Sequence, residues 1–347
     1  MIRTARMACF LSIILVVFAP NLTKAEPVFK DTHSAVRAVA QKLSDNLSEN
    51  RLHVVIDTLN LKGSQISSEF ADRFLDLLQA ELKQPKYQHD FIAVERQGTT
   101  RSLVRTRGGS GFLRIDDTTA LEKESSPSAS HDVLLSGTYK QSQDQQSVIV
   151  SIKLEKSDGS MISDASVLLQ RSSIQEPLEP QNKDLIQKTI RKVDASSKPV
   201  SDFKLNLWVD KGNGGIYRSG QEVKLLFRSE VDCYLKVLYI DVNGNRILMF
   251  PTERDSKTKL SAAVVHELHK NNKYTISSPF GSEVIIAFAS TEPFPETTEI
   301  NIGGGYRGFA NDQPTSDIVN GLRGMIVGAQ GEYAKKSEAR VFITTLP

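Results

Sequence analysis

VDCYLKVLYIDVNGNRILMFP, residues 231–251, decides how this chain folds. Tyr234, Lys236, Leu238 and Ile240 alternate with Leu235, Val237 and Tyr239, and a second apolar run follows from Ile247 to Phe250. The intervening Asn243-Gly244 is the pair that most readily takes the two positive φ values of a type I′ turn, so the stretch predicts a β-hairpin with that turn. Pro251 ends its second strand. A hairpin with apolar residues on both faces cannot stand alone in water, so it must be central to a β domain completed by its neighbours.

Those neighbours are legible on both sides. LNLWVD (205–210), EVKLLFRS (222–229), KYTIS (273–277), EVIIAFAS (283–290) and ARVFITT (339–345) read as further short strands separated by turn signals, the pattern of a β-sandwich. One helix is expected from Ser316 to Gln330, and the glycine-rich run Gly303 to Gly308 before it reads as a flexible loop. Upstream, Pro177, Pro180 and Pro199 mark residues 173–202 as a linker holding one short helical candidate, Asp184 to Val193.

Before the linker the periodicity changes. Val36, Val39, Ala40, Leu43 and Leu47 fall at helical spacing, as do Phe70, Phe74, Leu77, Leu78 and Leu82, with Ser67-Ser68-Glu69 as an opening signal for the second helix. Strands are expected at Leu52 to Leu59, Phe91 to Val94, Asp132 to Tyr139, Ser147 to Glu155 and Ile162 to Gln170. Residues 97–130 form an excursion that mixes an expected short helix, Arg101 to Arg105, with glycines and charges. The chain therefore reads as α+β: an N-terminal α/β sheet module with helices packed on it (33–172), a linker (173–202), and a C-terminal β-sandwich domain with one or two helices (203–347).

The first 25 residues have another role. Arg3 and Arg6 precede an apolar run from Ala8 to Ala19, too short to span a bilayer comfortably, and Thr23-Lys24-Ala25 offers small residues for cleavage near Ala25. This predicts a signal peptide, export, and a mature protein in the periplasm or at the periplasmic face of the outer membrane. An uncleaved anchor is the alternative. Cys9 falls inside the apolar run, so Cys233 is the one cysteine expected in the mature chain, and its strand position reads as a buried structural thiol. Composition is that of a globular protein, with 39% hydrophobic and 24% charged residues, and 43 basic against 41 acidic residues give a net charge of +2, so no nucleic-acid partner is expected.

Two resemblances follow from particular motifs. FADRFLDLLQAEL, FIAVER, DVLLSGTYKQ and VSIKLEKSDGSMI, within residues 33–172, resemble the exported FlgO/CsgG-type α/β module, although His131-Asp132 stands where that family often has Ala-Asp. Tyr217 to Leu225, Cys233-Tyr234-Leu235, Asp241 to Gly244, Phe250-Pro251, Pro279 to Glu283 and Glu338 to Val341 resemble an uncharacterised bacterial envelope β-domain family of unknown function, over about residues 203–347. The first resemblance implies a part in an envelope assembly; the second implies a fold and a compartment, and no reaction.

The motifs that might carry chemistry are incomplete. His266-Glu267-Leu268-His269 spaces its histidines at i and i+3, one short of the zinc-protease pattern, and no third ligand stands nearby in sequence. Ser256-Lys257-Thr258-Lys259 matches Ser-x-x-Lys, but the companion boxes of that enzyme class are missing. Asp241, Asn243 and Asn245 imitate the start of a calcium loop, yet Arg246 replaces its glycine and Thr252 its final glutamate. Gly212 to Gly215 lacks the Lys-Ser/Thr ending of a phosphate loop. No catalytic residue, metal site or cofactor is therefore expected. Arg101, Arg105, Arg107 and Arg114 are the expected partner-contact residues, facing an anionic surface. The leading expectation is a non-enzymatic subunit of an envelope complex such as a secretion or appendage apparatus, with envelope proteins as partners and the outer membrane or peptidoglycan close by. The alternatives are a periplasmic hydrolase using His266/His269 or Ser256/Lys259, and a ligand or glycan receptor with Trp208, Tyr217 and Tyr234 as its platform.

Overall fold

The computed structural model describes residues 27–97, 101–105, 112–116, 126–127, 132–156, 158–196, 201–255, 258–268, 274–323 and 334–347. The fold is α+β, as the periodicities require. The leader expected over residues 1–25 lies outside the described residues. Among the latter, no helix is long and apolar enough to cross a membrane.

The N-terminal module comprises β1 (Val28–Phe29), α1 (Thr32–Asp45), β2 (Leu52–Leu61), α2 (Glu69–Leu82), β3 (Phe91–Arg96), β4 (Arg101–Arg105), β5 (Phe112–Asp116), β6 (Ser126–Pro127), β7 (Asp132–Gln141), β8 (Ser147–Lys156) and β9 (Met161–Gln170). Both helices begin at side-chain caps. Asp31 Oδ1 accepts from the Ser34 N–H at 2.7 Å, and Ser68 Oγ accepts from the Ala71 N–H at 3.4 Å. Six strands form one sheet in the order β1-β9-β8-β7-β2-β3, with β7, β8 and β9 an antiparallel meander and β2 parallel to both β7 and β3. Both helices pack on one face, where Val36, Leu43, Phe70 and Phe74 meet Ile56, Val150 and Val167. Alternation along the strands then puts Ser136, Ser151 and Asp164 on the face away from the helices.

Gly137 shows how tightly the sheet is built. A Cβ there would lie 2.5 Å from the Ser151 carbonyl oxygen, 2.7 Å from Ile152 Cδ1 and 3.0 Å from Leu59 Cδ1. Since one contact is backbone of the adjacent strand, Gly137→Ala is expected to destabilise the protein by about 1–3 kcal/mol, read by urea unfolding under circular dichroism. An unchanged midpoint would refute the close approach.

Arg101 to Arg105, expected to include a helix, is instead the strand β4. It pairs antiparallel with β5, and β5 with β6, in a three-stranded sheet separate from the main one. Ser102-Leu103-Val104 suits a pleated ladder better than a single helical turn, which is too short to propagate.

The second half comprises α3 (Lys183–Ser196), β10 (Leu205–Val209), β11 (Gly215–Arg218), β12 (Glu222–Val223), β13 (Leu225–Ser229), β14 (Cys233–Ile240), β15 (Arg246–Phe250), β16 (Lys259–Leu260), β17 (Val265–Glu267), β18 (Tyr274–Thr275), β19 (Ser282–Ser290), β20 (Ile300–Gly303), β21 (Tyr306–Gly308), α4 (Thr315–Arg323) and β22 (Lys336–Leu346). The hairpin sits at the centre. β14 pairs with β19 on one side and β15 on the other in an eight-stranded sheet of order β11-β22-β19-β14-β15-β21-β20, with β16 also on β14. Leu235 and Val237 face one core with Leu205, Phe227 and Ile343, between this sheet and the three-stranded sheet β10-β13-β17. Leu238 and Ile240 face the opposite core, covered by Ile186 and Val193 of α3 and Ile318, Val319 and Leu322 of α4. Two sheets face each other, and a helical layer backs the larger one.

Two local expectations are corrected. The hairpin turn is not type I′, because Gly244 (φ +81°) is at positive φ and Asn243 is not. Asp241 instead organises a longer connection. Its carbonyl accepts from the Gly244 N–H, and its carboxylate takes the Asn243 and Asn245 N–H groups at 2.9 and 2.8 Å. Second, the Gly303-Gly304-Gly305 run is not an open loop but the turn of the β20–β21 hairpin, all three residues at positive φ. The helix expected at Asp184 to Val193 is α3, which runs from Lys183 to Ser196 and supplies buried side chains to the second core. Helix α4 begins at Thr315, and the expected part of it beyond Arg323 lies outside the described residues.

Candidate functional site

The two halves meet along β2, and the Gly212–Gly215 segment forms the joint. Asn213 is its pivot. Its carbonyl accepts from Thr58 Oγ1 at 2.8 Å, while its own Oδ1 accepts from the Phe342 N–H at 2.8 Å. Gly214, at φ +87°, brings its Cα so close that a Cβ would lie 2.4 Å from Asn60 Oδ1, so the approach requires glycine. On one flank Thr344 Oγ1 donates to the Ser67 carbonyl at 3.3 Å. Beside it, Asp72 accepts from Arg96 of its own module at 3.1 Å and from Arg218 of the other at 3.0 Å. A small cavity of about 240 Å³ there gathers Asp57, Asp72 and Asp76 with Arg96, Lys211 and Arg218. Burial first, then the Asp72 charge, raises the Asp76 carboxyl, and burial lowers the Lys211 ammonium.

On the other flank lies a cleft of about 1040 Å³, bounded by residues of both halves. Its floor is the helix-free face of the N-terminal sheet. Cross-strand register there places Thr138, Ser151 and Ser166 in one row, and Ser136, Lys153 and Asp164 in the next. The opposing wall comes from β10, with Asn206 and Trp208, and from β22, with Glu338 and Arg340. The cations in it are engaged: Arg340 pairs with Asp194 and Glu338, each at 2.8 Å, and Lys153 with Glu155 at 2.9 Å. Trp208 is 3% exposed, and its indole N–H is buried without an acceptor among the described residues, a deficit of about 1–3 kcal/mol. Clefts between modules are a common place for ligands, and this volume is at the upper end of that class.

The residues singled out in the sequence do not assemble here. Arg101, Arg105 and Arg114 lie on the β4–β5 hairpin, and Arg107 falls outside the described residues. His266 is on the strand β17, with its Nε2 3.0 Å from the Ser261 carbonyl and its ring stacked on Phe227 at 5.6 Å. His269 and Ser256 lie outside the described residues, so neither proposed hydrolase pair is seen whole; among the described residues no His, Cys, Asp or Glu cluster could hold a metal. Lys259 is on β16. The aromatic platform is dispersed. Tyr217 is fully buried, donating to Asp210 at 2.8 Å, Tyr234 is on β14, and only Trp208 borders the cleft. Cys233 is buried and free, and burial raises its thiol, which suits a packing role. Asp241 and Asn245 bond to one another across the hairpin turn, 2.8 Å apart.

The cleft residues were missed because each strand's polar positions read as an ordinary solvated face. The available signal was small hydroxyl side chains at alternate positions of three consecutive strands, Ser136/Thr138, Ser151 and Ser166.

Comparison with known proteins adds one match. A domain of unknown function, DUF4384, matches residues 216–293, from β11 to just past β19, 78 of the 347 residues. No FlgO/CsgG-type family matches. No curated protein and no solved structure matches the chain.

Proposed function

We propose that this chain is a non-catalytic subunit of a cell-envelope assembly, exported after cleavage near Ala25 and acting through its surfaces in the periplasm or at the periplasmic face of the outer membrane. The Arg-flanked apolar leader supports export, and the likeness of residues 33–172 to the FlgO/CsgG-type module supports the assembly role. One observation carries the docking element. In the β4–β5 pairing Arg101 stands opposite Asp116, Leu103 opposite Arg114, and Arg105 opposite Phe112. The register thus gathers Arg101, Arg105 and Arg114, with one acidic residue, Asp116, on a short hairpin that belongs to neither large sheet. This excess of cations favours an acidic protein surface, and such an attraction steers association more than it fixes final affinity.

Charge reversal tests this. Arg101→Glu with Arg114→Glu is expected to remove the envelope proteins recovered with the crosslinked wild-type chain, to leave thermal unfolding within about 0.5 kcal/mol of wild type, and to abolish the salt dependence of recovery. Recovery of the same proteins by the variant would refute the reading.

A further inference from the structure

We propose that the cleft between the two halves binds a short neutral oligosaccharide. The floor is made by β7, β8 and β9: β8 is hydrogen-bonded to β7 and β9 along its length, while β9 meets β1 only at Leu168 and Leu169, and its Asp164 and Ser166 carbonyls accept from Asn46 and Lys42 side chains. Strand-to-strand bonds run within the sheet, so its face presents side chains. Those side chains come as two cross-strand rows, Thr138-Ser151-Ser166 and Ser136-Lys153-Asp164, with successive members about 4.8 Å apart, the spacing of neighbouring strands. Each hydroxyl both donates and accepts. In the first row Ser151 and Ser166 Oγ lie 3.2 Å apart and Ser166 also donates to the Val150 carbonyl at 3.3 Å, leaving lone pairs to the cleft, and the second row adds a donor, Lys153, and an acceptor, Asp164. A ligand that meets both rows must donate and accept along its length, which is the property of a chain of sugar hydroxyls.

Charge narrows the class further. Arg340 is held by Asp194 and Glu338, and Lys153 by Glu155, while Asp164 is exposed on the floor. A polyanion would meet carboxylates and find the cations already engaged, so an uncharged ligand fits better. The wall adds an unmatched donor, and β2, on the side of the N-terminal sheet, an unmatched acceptor. The Trp208 indole N–H has no acceptor and Asn60 Oδ1 no donor among the described residues, and a hydroxyl can satisfy either. Both atoms are buried, so reaching them requires a local shift of the wall. Trp208 is the sole tryptophan of the chain, and its emission therefore reports that shift directly. An extended peptide is the competing occupant, because β10 is an edge strand and borders the cleft.

This inference is independent of the arginine hairpin. The full mature chain would be titrated with chitotetraose, cellotetraose and N-acetyl-tetraalanine amide, following Trp208 emission and the heat of binding by calorimetry. Saturable binding of at least one sugar with a change in emission is expected, and none of the peptide. Thr138→Ala and Ser166→Ala, checked for folding by circular dichroism, should each weaken sugar affinity about 3- to 10-fold, the effect of one neutral hydrogen bond. The Arg101/Arg114 variant should bind sugar as wild type does. The proposal is overturned if neither sugar saturates, if both floor variants bind undiminished, or if the peptide alone binds.

Discussion

Replacing Arg323 by Ala is expected to cost about 3–5 kcal/mol of stability. Arg323 and Glu338 are each 3% exposed, and their Nε–Oε2 distance is 2.9 Å. The same guanidinium donates through Nη1 to the Val193 carbonyl at 3.0 Å, so one side chain joins α4, α3 and β22. Val193 lies in the last turn of α3, where a cation is favoured. Truncation would remove the Arg323 charge from the buried Glu338 carboxylate, which Arg340 also contacts while being shared with Asp194. The contrast is a paired change. Arg323→Met with Glu338→Leu removes both charges together, and apolar replacement of a buried pair is often neutral, so the double variant should recover most of the loss. Urea midpoints for the three proteins decide it. A loss below about 1 kcal/mol in the single variant would show that water reaches the pair.

The residues around this pair also show where sequence reasoning reaches and where it stops. Leu235 and Val237 against Leu238 and Ile240 announced a strand buried on both faces, and β14 is that strand. Helices α1 and α2 were equally plain, because their apolar stripes and caps agree. Helix α3 was harder to value. Its prolines lie outside it, and nothing in Ile186 or Val193 says that the surface they cover belongs to a sheet built from residues 215–346. The β20–β21 turn was hidden by its own composition, since three glycines read as looseness until their positive φ values are seen to close a hairpin. The cleft was less legible still. Ser151 and Ser166 are neighbours only through β-sheet register, and their enclosure depends on how a second module lies over the first. Period-two polarity says which residues leave the first core and is silent on whether water or another surface meets them.

The rigidity of that joint bears on both functional readings. Asn213 ties β2 to β22 through two hydrogen bonds of 2.8 Å, so the floor and the wall of the cleft belong to elements bonded to one another. A ligand that shifts the wall must work against this joint, and the β4–β5 hairpin follows directly on β3, which pairs with the joint's own strand β2. Charge reversal on the hairpin leaves these bonds of the joint in place, which is why the hairpin variant is expected to bind at the cleft as wild type does.

Stability should also fall as pH rises through neutrality, and Glu283 is the reason. Its side chain is 3% exposed on β19; burial lifts its carboxyl from 4.5 to about 7, against hydrogen bonds from the Tyr239 and Thr345 hydroxyls that pull it down, and the nearby Asp241 charge adds to the rise. Thr345 Oγ1 is 3.2 Å from Oε1, while Oε2 has no partner among the described residues. The folded chain thus keeps a proton that the unfolded chain releases near pH 4.5. Between those two values the folded state binds more protons, so this group's contribution is fully present below about pH 4.5 and is lost as pH rises through 7. A separation of about 2.5 units corresponds to about 3 kcal/mol between pH 4 and pH 8. Glu283→Gln keeps the shape and the acceptor for Thr345 but cannot ionise. Relative to wild type, the variant should gain about 2–3 kcal/mol at pH 8 and little at pH 4. The comparison isolates one residue, since Asp76 and Asp210, also raised chiefly by burial, titrate in both proteins. Urea unfolding at pH 4, 6 and 8 measures the difference, and a gain independent of pH would mean that Glu283 ionises at its ordinary value in the folded chain.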